Sequence, residues 1–163
     1  LMLLGPAAIG FSVAYWFSLG QFSAPVRFRV DFSPLLSQPL AVQVHLVSAL
    51  SAFLFGAYIL WAPKGVGLHK PLGWAWVGLM ATAAASSFFI KSAMVEGAGG
   101  MGPIHALSAW VMIGLPMGIA SIRRRDIKSH RRWMGGMFLG GMAIAGLFTF
   151  LPGRLMWSLF LTA

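Results

Sequence analysis

Five apolar stretches, each close to the length that crosses a lipid bilayer, leave this chain few ways to fold. The hydrocarbon core is ~30 Å thick, and a helix crosses it in ~20 residues. No water reaches the backbone there, so each span must satisfy its own N–H and C=O groups as a helix. The stretches are Leu1 to about Gly20, Ala41 to Trp61, Leu72 to about Ala93, Ile104 to Ile122 and Trp133 to Leu151. Apolar residues make up 58% of the chain and charged residues 9%. A soluble domain carries about 25% charged residues. The expectation is an all-α, polytopic transmembrane helix bundle: a four-helix core preceded by one N-terminal span.

The organisation follows from the breaks. Residues 1–20 form the first span; they lack the basic flank and cleavage pattern of a signal peptide. The chain opens on Leu1 rather than Met, and we expect residues ahead of it. Residues 21–40 hold Pro25, Pro34 and Pro39 beside Phe22, Phe28 and Phe32, an interfacial loop. Residues 41–154 make the core. Within it, 62–71 is a tight turn, and Pro71 suits a first helical turn, where its missing N–H costs nothing. The glycine-rich run 96–103 is a loop, Pro116 a kink, and 155–163 a short apolar tail.

Charge orients the bundle. The turns 62–71 and 123–132 hold eight bases: Lys64, Lys70, Arg123, Arg124, Arg125, Lys128, Arg131 and Arg132. The other side holds Arg27, Arg29, Arg154 and, near it, Lys91. Cytoplasmic loops collect Lys and Arg, so both turns are expected in the cytoplasm and loop 21–40 outside. The net charge of +9 then reflects membrane topology and not nucleic-acid binding. Membrane lipids are the expected surroundings of the basic loops.

The chain has no cysteine, which excludes disulfides, thiolate metal sites, iron–sulfur clusters and covalently attached haem. The remaining chemistry lies in four histidines. On this topology His45 and His105 begin helices entering from outside, and His69 and His130 begin helices entering from the cytoplasm. Alternate helices of a four-helix bundle face each other across its core. Each pair is then placed to ligate the two faces of one b-type haem iron, giving one or two haems. Positions 45, 49, 52 and 56 read His, Ala, Ala, Gly along one helical stripe, small enough to seat a flat ring. Beyond His130 the stripe reads Trp133, Met134 and Met137, so the outer pair is favoured. Arg27 and Arg29 outside, and Lys70, Arg131 and Arg132 inside, are available to propionates or to lipid headgroups. An interfacial histidine also caps helices or bonds a carbonyl, a purely structural use. Zinc wants three or four convergent ligands, which opposite leaflets cannot supply.

Other chemistry is sparse. The acids are Asp31, Glu96 and Asp126, and no nucleophile–base–acid set or nucleotide-binding loop is present. Gly114 and Gly118, and Gly136 and Gly140, are four apart, the spacing of close helix contacts.

The strings PKGVGLHKPLGWAWVGLM (63–80), SSFFIK (86–91), GPIHALSAW (102–110), RRRDIKSHRRWM (123–134) and AGLFTFLPGR (145–154) resemble the DUF2306 family. These are bacterial integral membrane proteins, so the resemblance implies the bacterial inner membrane. It also implies that the four histidines, with Arg154, are characteristic positions. In arrangement the histidines are similar to the four-helix core of cytochrome b561-type proteins, which hold two b haems. Two functions stay open: haem-based electron transfer, with quinone a candidate acceptor, and a cofactor-free accessory subunit of a larger respiratory or photosynthetic complex. A transporter is weaker, since no span is broken by a charged site.

Overall fold

The computed structural model describes residues 27–28, 30–90, 102–150 and 155–162. The first span, most of the glycine-rich loop, Arg29, Lys91, Glu96 and Arg154 lie outside the described residues. The chain divides into two compact units, residues 1–37 with 147–163, and residues 38–146.

In the first unit, the strand β1 (Arg27–Phe28) precedes a short helix, α1 (Ser33–Leu36). Asp31 starts that turn by accepting bonds from the Ser33 N–H at 2.9 Å and the Ser33 hydroxyl at 2.6 Å.

In the second unit, helix α2 (Leu40–Trp61) carries no charged residue and stops at Ala62. Ala62 is extended, with ψ at 154°, because a residue before proline is driven out of the helical region. Lys64 closes the end by donating to the Leu60 and Ala62 carbonyls. The turn then reverses through Gly65 and Gly67, whose φ values of 80° and 53° need a residue without a Cβ.

Helix α3 (His69–Ser87) starts earlier and ends earlier than its apolar stretch implies. Pro71 falls in its first turn, so His69 belongs to the helix and not to the loop before it. At the far end the amides of Phe88, Phe89 and Ile90 bond carbonyls three residues back. This tightening winds the helix out. Helix α4 (Pro103–Arg123) begins on proline and contains Pro116. Arg125 then takes a left-handed conformation, with φ at 60°. Asp126 caps α5 (Ile127–Gly136) by accepting the Ser129 N–H at 3.0 Å. The rod runs on through a π-helical segment, Met137–Ile144, and α6 (Ala145–Phe148) follows it in sequence.

Within the short apolar tail, residues 155–162 fold in the first unit. They form α7 (Leu155–Phe160) and the strand β2 (Leu161–Thr162), which pairs antiparallel with β1. The reason is local: Phe160 packs on Phe28 and Phe150, and the Asp31 N–H bonds the Leu159 carbonyl at 2.9 Å.

Neighbour relations in the second unit close a ring. Helix α2 packs on α3, α3 on α4, and α4 on α5, while the π segment touches both α2 and α4. Thus α2 stands opposite α4, and α3 opposite the α5–π rod. The core is Ala52, Trp76, Met80, Ala84, Val111, Leu115, Met137, Phe138 and Met142. Outward lie Leu54, Trp61, Ile113 and Leu139, all exposed. An apolar outer surface on this scale is a liability in water and the normal state of a helix in lipid. Among the described residues, Leu40–Trp61 and Ile104–Arg123 are long and apolar enough to cross a membrane.

Candidate histidine sites

The ring of helices puts the histidines at two ends of one core. Each stands about two turns or less from its core-lining neighbours: His45 from Ala52, His69 from Trp76, His105 from Val111 and His130 from Met137. The packed middle therefore separates one diagonal pair from the other.

At one end, the His45 ring crosses to α3, with Nδ1 2.7 Å from the Ala83 carbonyl. A carbonyl only accepts, so Nδ1 carries the proton and Nε2 keeps its lone pair. The Ser86 hydroxyl donates to the same carbonyl at 3.0 Å. His105 is used differently. It is buried at the third position of α4, and the Gly102 N–H donates to its Nδ1 at 3.0 Å. That nitrogen is then the acceptor, and the neutral ring carries its proton on Nε2. The Phe88 ring lies 6.1 Å from the His105 ring, tilted by 56°. Both histidines thus gather at the end of α3, around residues 83–88.

One turn inward, the Ser87 and Ser108 hydroxyls share a hydrogen bond of 2.5 Å between α3 and α4. Ser48, Ser86, Ser87 and Ser108 are all buried. This polar layer escapes a search for metal ligands. Its sequence signal is serine recurring inside otherwise apolar spans, Ser108 one turn from His105.

At the other end, His130 repeats the pattern of His45. Its Nδ1 donates to the Gly118 carbonyl of α4 at 2.9 Å, leaving Nε2 free. His69 stands ahead of the apolar stretch that begins at Leu72. Burial holds its pKa below the ordinary imidazole range, and repulsion from Lys64, and from His130 when that ring is protonated, acts in the same direction. Its Nδ1 is buried and, among the described residues, has no partner. The structure therefore brings His69 within electrostatic reach of His130.

The stripes beside the histidines are filled by helices. Ala52 is fully buried. A Cβ added at Gly56 would lie 2.5 Å from the Phe138 ring and 2.7 Å from Trp76 Nε1. The bulky stripe after His130 docks in the groove of the other glycine pair. A Cβ on Gly114 would meet Met137 Sδ at 2.8 Å, and one on Gly118 would meet Met134 Cε at 2.5 Å. Gly136 meets nothing, while Gly140 faces the Trp110 ring. The glycine spacing therefore admits side-chain knobs and not a bare backbone contact.

Of the basic residues offered to propionates, Arg131 and Arg132 line a pocket of about 430 Å³ with Ile127 and Lys128. A second pocket, of about 410 Å³, lies between α3 and α4. Neither is lined by a histidine. Among the described residues no three His, Asp or Glu side chains gather as a metal site.

A family model described as a predicted membrane protein, DUF2306, matches residues 42–161, which takes in all four histidines. Comparison with curated proteins and with solved structures returned no match.

Proposed function

The chain belongs to the DUF2306 family of predicted membrane proteins, and on that premise we propose that it moves electrons across a bacterial inner membrane through b-type haem. The observation that carries this reading is the use of Nδ1 by His45 and His130. Each donates it to a carbonyl of a neighbouring helix. Metal-ligating histidines characteristically donate their second ring N–H in this way, which fixes the tautomer and aims Nε2 at the metal. The buried, unpartnered Nδ1 of His69 adds a third nitrogen in want of a partner.

The residues fit the group unevenly. At the cytoplasmic end, His69 and His130 are suited to hold a haem, with Lys70 and Arg131 adjacent in sequence. At the outer end, His45 is suited and His105 is not, since its Nε2 bears the proton while Gly102 holds Nδ1. One haem, at the inner pair, is accordingly the form of the proposal that the residues carry. A b haem held by two imidazoles would supply one-electron redox chemistry. The chain's own part is to hold the rings in one tautomer, to keep water from the bundle, and to keep four helices in register. Quinone is the membrane-soluble acceptor proposed for it. On this reading the turns 62–71 and 123–132, with their eight bases, face the cytoplasm.

A second reading has its own observation. His105 bonds its helix start, and Phe138 and Trp76 fill the cleft at Gly56. Both are what a cofactor-free accessory subunit of a larger membrane complex would use. A reduced-minus-oxidised spectrum of the purified protein separates the two. The haem reading expects sharp b-type bands, lost in His69→Ala with His130→Ala, and weakened or kept in His45→Ala with His105→Ala. A featureless spectrum from protein made with haem in excess, together with a stoichiometric partner in gentle detergent, would establish the accessory reading instead.

A further inference from the structure

We infer that the groove between α3 and α4 seats one acyl chain of an anionic phospholipid, with the lipid phosphate at Arg123. This does not rest on the haem reading. Any spanning helix touches lipid; three features single out this groove. First, it is a shallow, open groove of about 410 Å³, walled by Val77 and Ala81 of α3 and by Met112, Pro116 and Ile119 of α4. Alanine at 81 and proline at 116 keep the two walls apart, where larger side chains would close them.

Second, its length is that of one leaflet. From Met112 to Arg123 the helix rises about 16 Å at ~1.5 Å per residue. Half of a ~30 Å hydrocarbon core is about the same. The groove therefore runs from mid-bilayer to one surface.

Third, its only charged lining residue is Arg123, at the surface end. The acid three residues on in sequence, Asp126, is engaged by the Ser129 N–H and the charge of Arg132. Arg124 and Arg125 follow at once in sequence. An apolar trough closed by a planar, permanently charged donor matches an acyl chain ending in a phosphate. A neutral quinone head would give the guanidinium nothing to neutralise.

The test is native mass spectrometry of the full chain from micelles carrying phosphatidylglycerol or phosphatidylcholine. Wild type is expected to keep one phosphatidylglycerol in preference. Arg123→Gln should cut that preference about fivefold, the scale of one basic residue at a membrane surface; Arg123→Lys should restore most of it. Ala81→Phe, which fills the trough, should lower retention of both lipids. Unchanged retention in Arg123→Gln or Ala81→Phe overturns the site. So does displacement of the lipid by inorganic phosphate alone, which would mean that the acyl chain contributes nothing. On the unaltered protein, phosphatidylglycerol with a photoreactive acyl chain should label the groove walls, and labelling confined to other faces overturns the proposal without any variant.

Discussion

At the scale of single residues, the decisive details are which ring nitrogen bears a proton and which glycine faces a rigid neighbour. Gly56 lies between the Phe138 ring and the Trp76 indole, and neither can bend away. Gly118 faces the end of the Met134 side chain, which can swing aside. Gly56→Ala should therefore destabilise by about 1–3 kcal/mol, the usual range for overpacking, and Gly118→Ala by clearly less. Unfolding in detergent checks the order of the two. The Ser87–Ser108 pair is a second residue-level test. Hydrogen bonds between membrane helices average about 0.6 kcal/mol of coupling, and a double-mutant cycle with alanine at both sites should return a value of that order. A coupling near zero would mean that each hydroxyl is content with its own helix carbonyl.

At the scale of elements, the rod from Ile127 to Ile144 shows how a short polar start launches an apolar helix. Asp126 caps it, and the bond from Ser129 is the main reason its carboxyl titrates below the usual range. A depressed carboxyl stabilises above the ordinary aspartate range, and the contribution is lost as pH falls through the lowered value. Asp126→Ala should lower the melting temperature at neutral pH and flatten its decline toward acid. Asp126→Asn keeps a capping oxygen, so it should recover stability but not the acid dependence. Further on, the rod turns π-helical where Phe138 stacks on Phe53 of α2, 5.6 Å away and nearly parallel. The length of the apolar run marks the existence of this helix, since every residue of Met137–Ile144 is apolar or glycine. It carries no sign of the wider winding, because π turns depend on how neighbouring helices demand side chains, and glycine permits either geometry. The early end of α3 is similar: the Ser86 and Ser87 hydroxyls donate to the carbonyls three residues back, of Ala83 and Ala84, a local competition hidden within a run of small residues.

At the scale of the whole molecule, orientation and cofactor remain the two consequential properties, and both can be measured. The chain has no cysteine, so single cysteines can be added without background. In intact cells, Lys128→Cys should resist a membrane-impermeant maleimide and Val30→Cys should react; the reverse pattern would invert the topology proposed from charge. The haem spectrum described above is the second test, with loss of bands in the His69 and His130 variants as its expected result. Composition and the spacing of apolar runs were enough to determine a helical membrane bundle, the approximate helix bounds and one histidine near the start of each core helix. These follow from the chain itself, because a bilayer allows a spanning segment no backbone partner but its own. Which backbone group each histidine bonds, which nitrogen it uses and what fills the small-residue stripes were decided by tertiary structure alone. Those depend on carbonyls and side chains of other helices, such as Ala83, Gly118 and Phe138, that come within reach only when the ring of four helices closes.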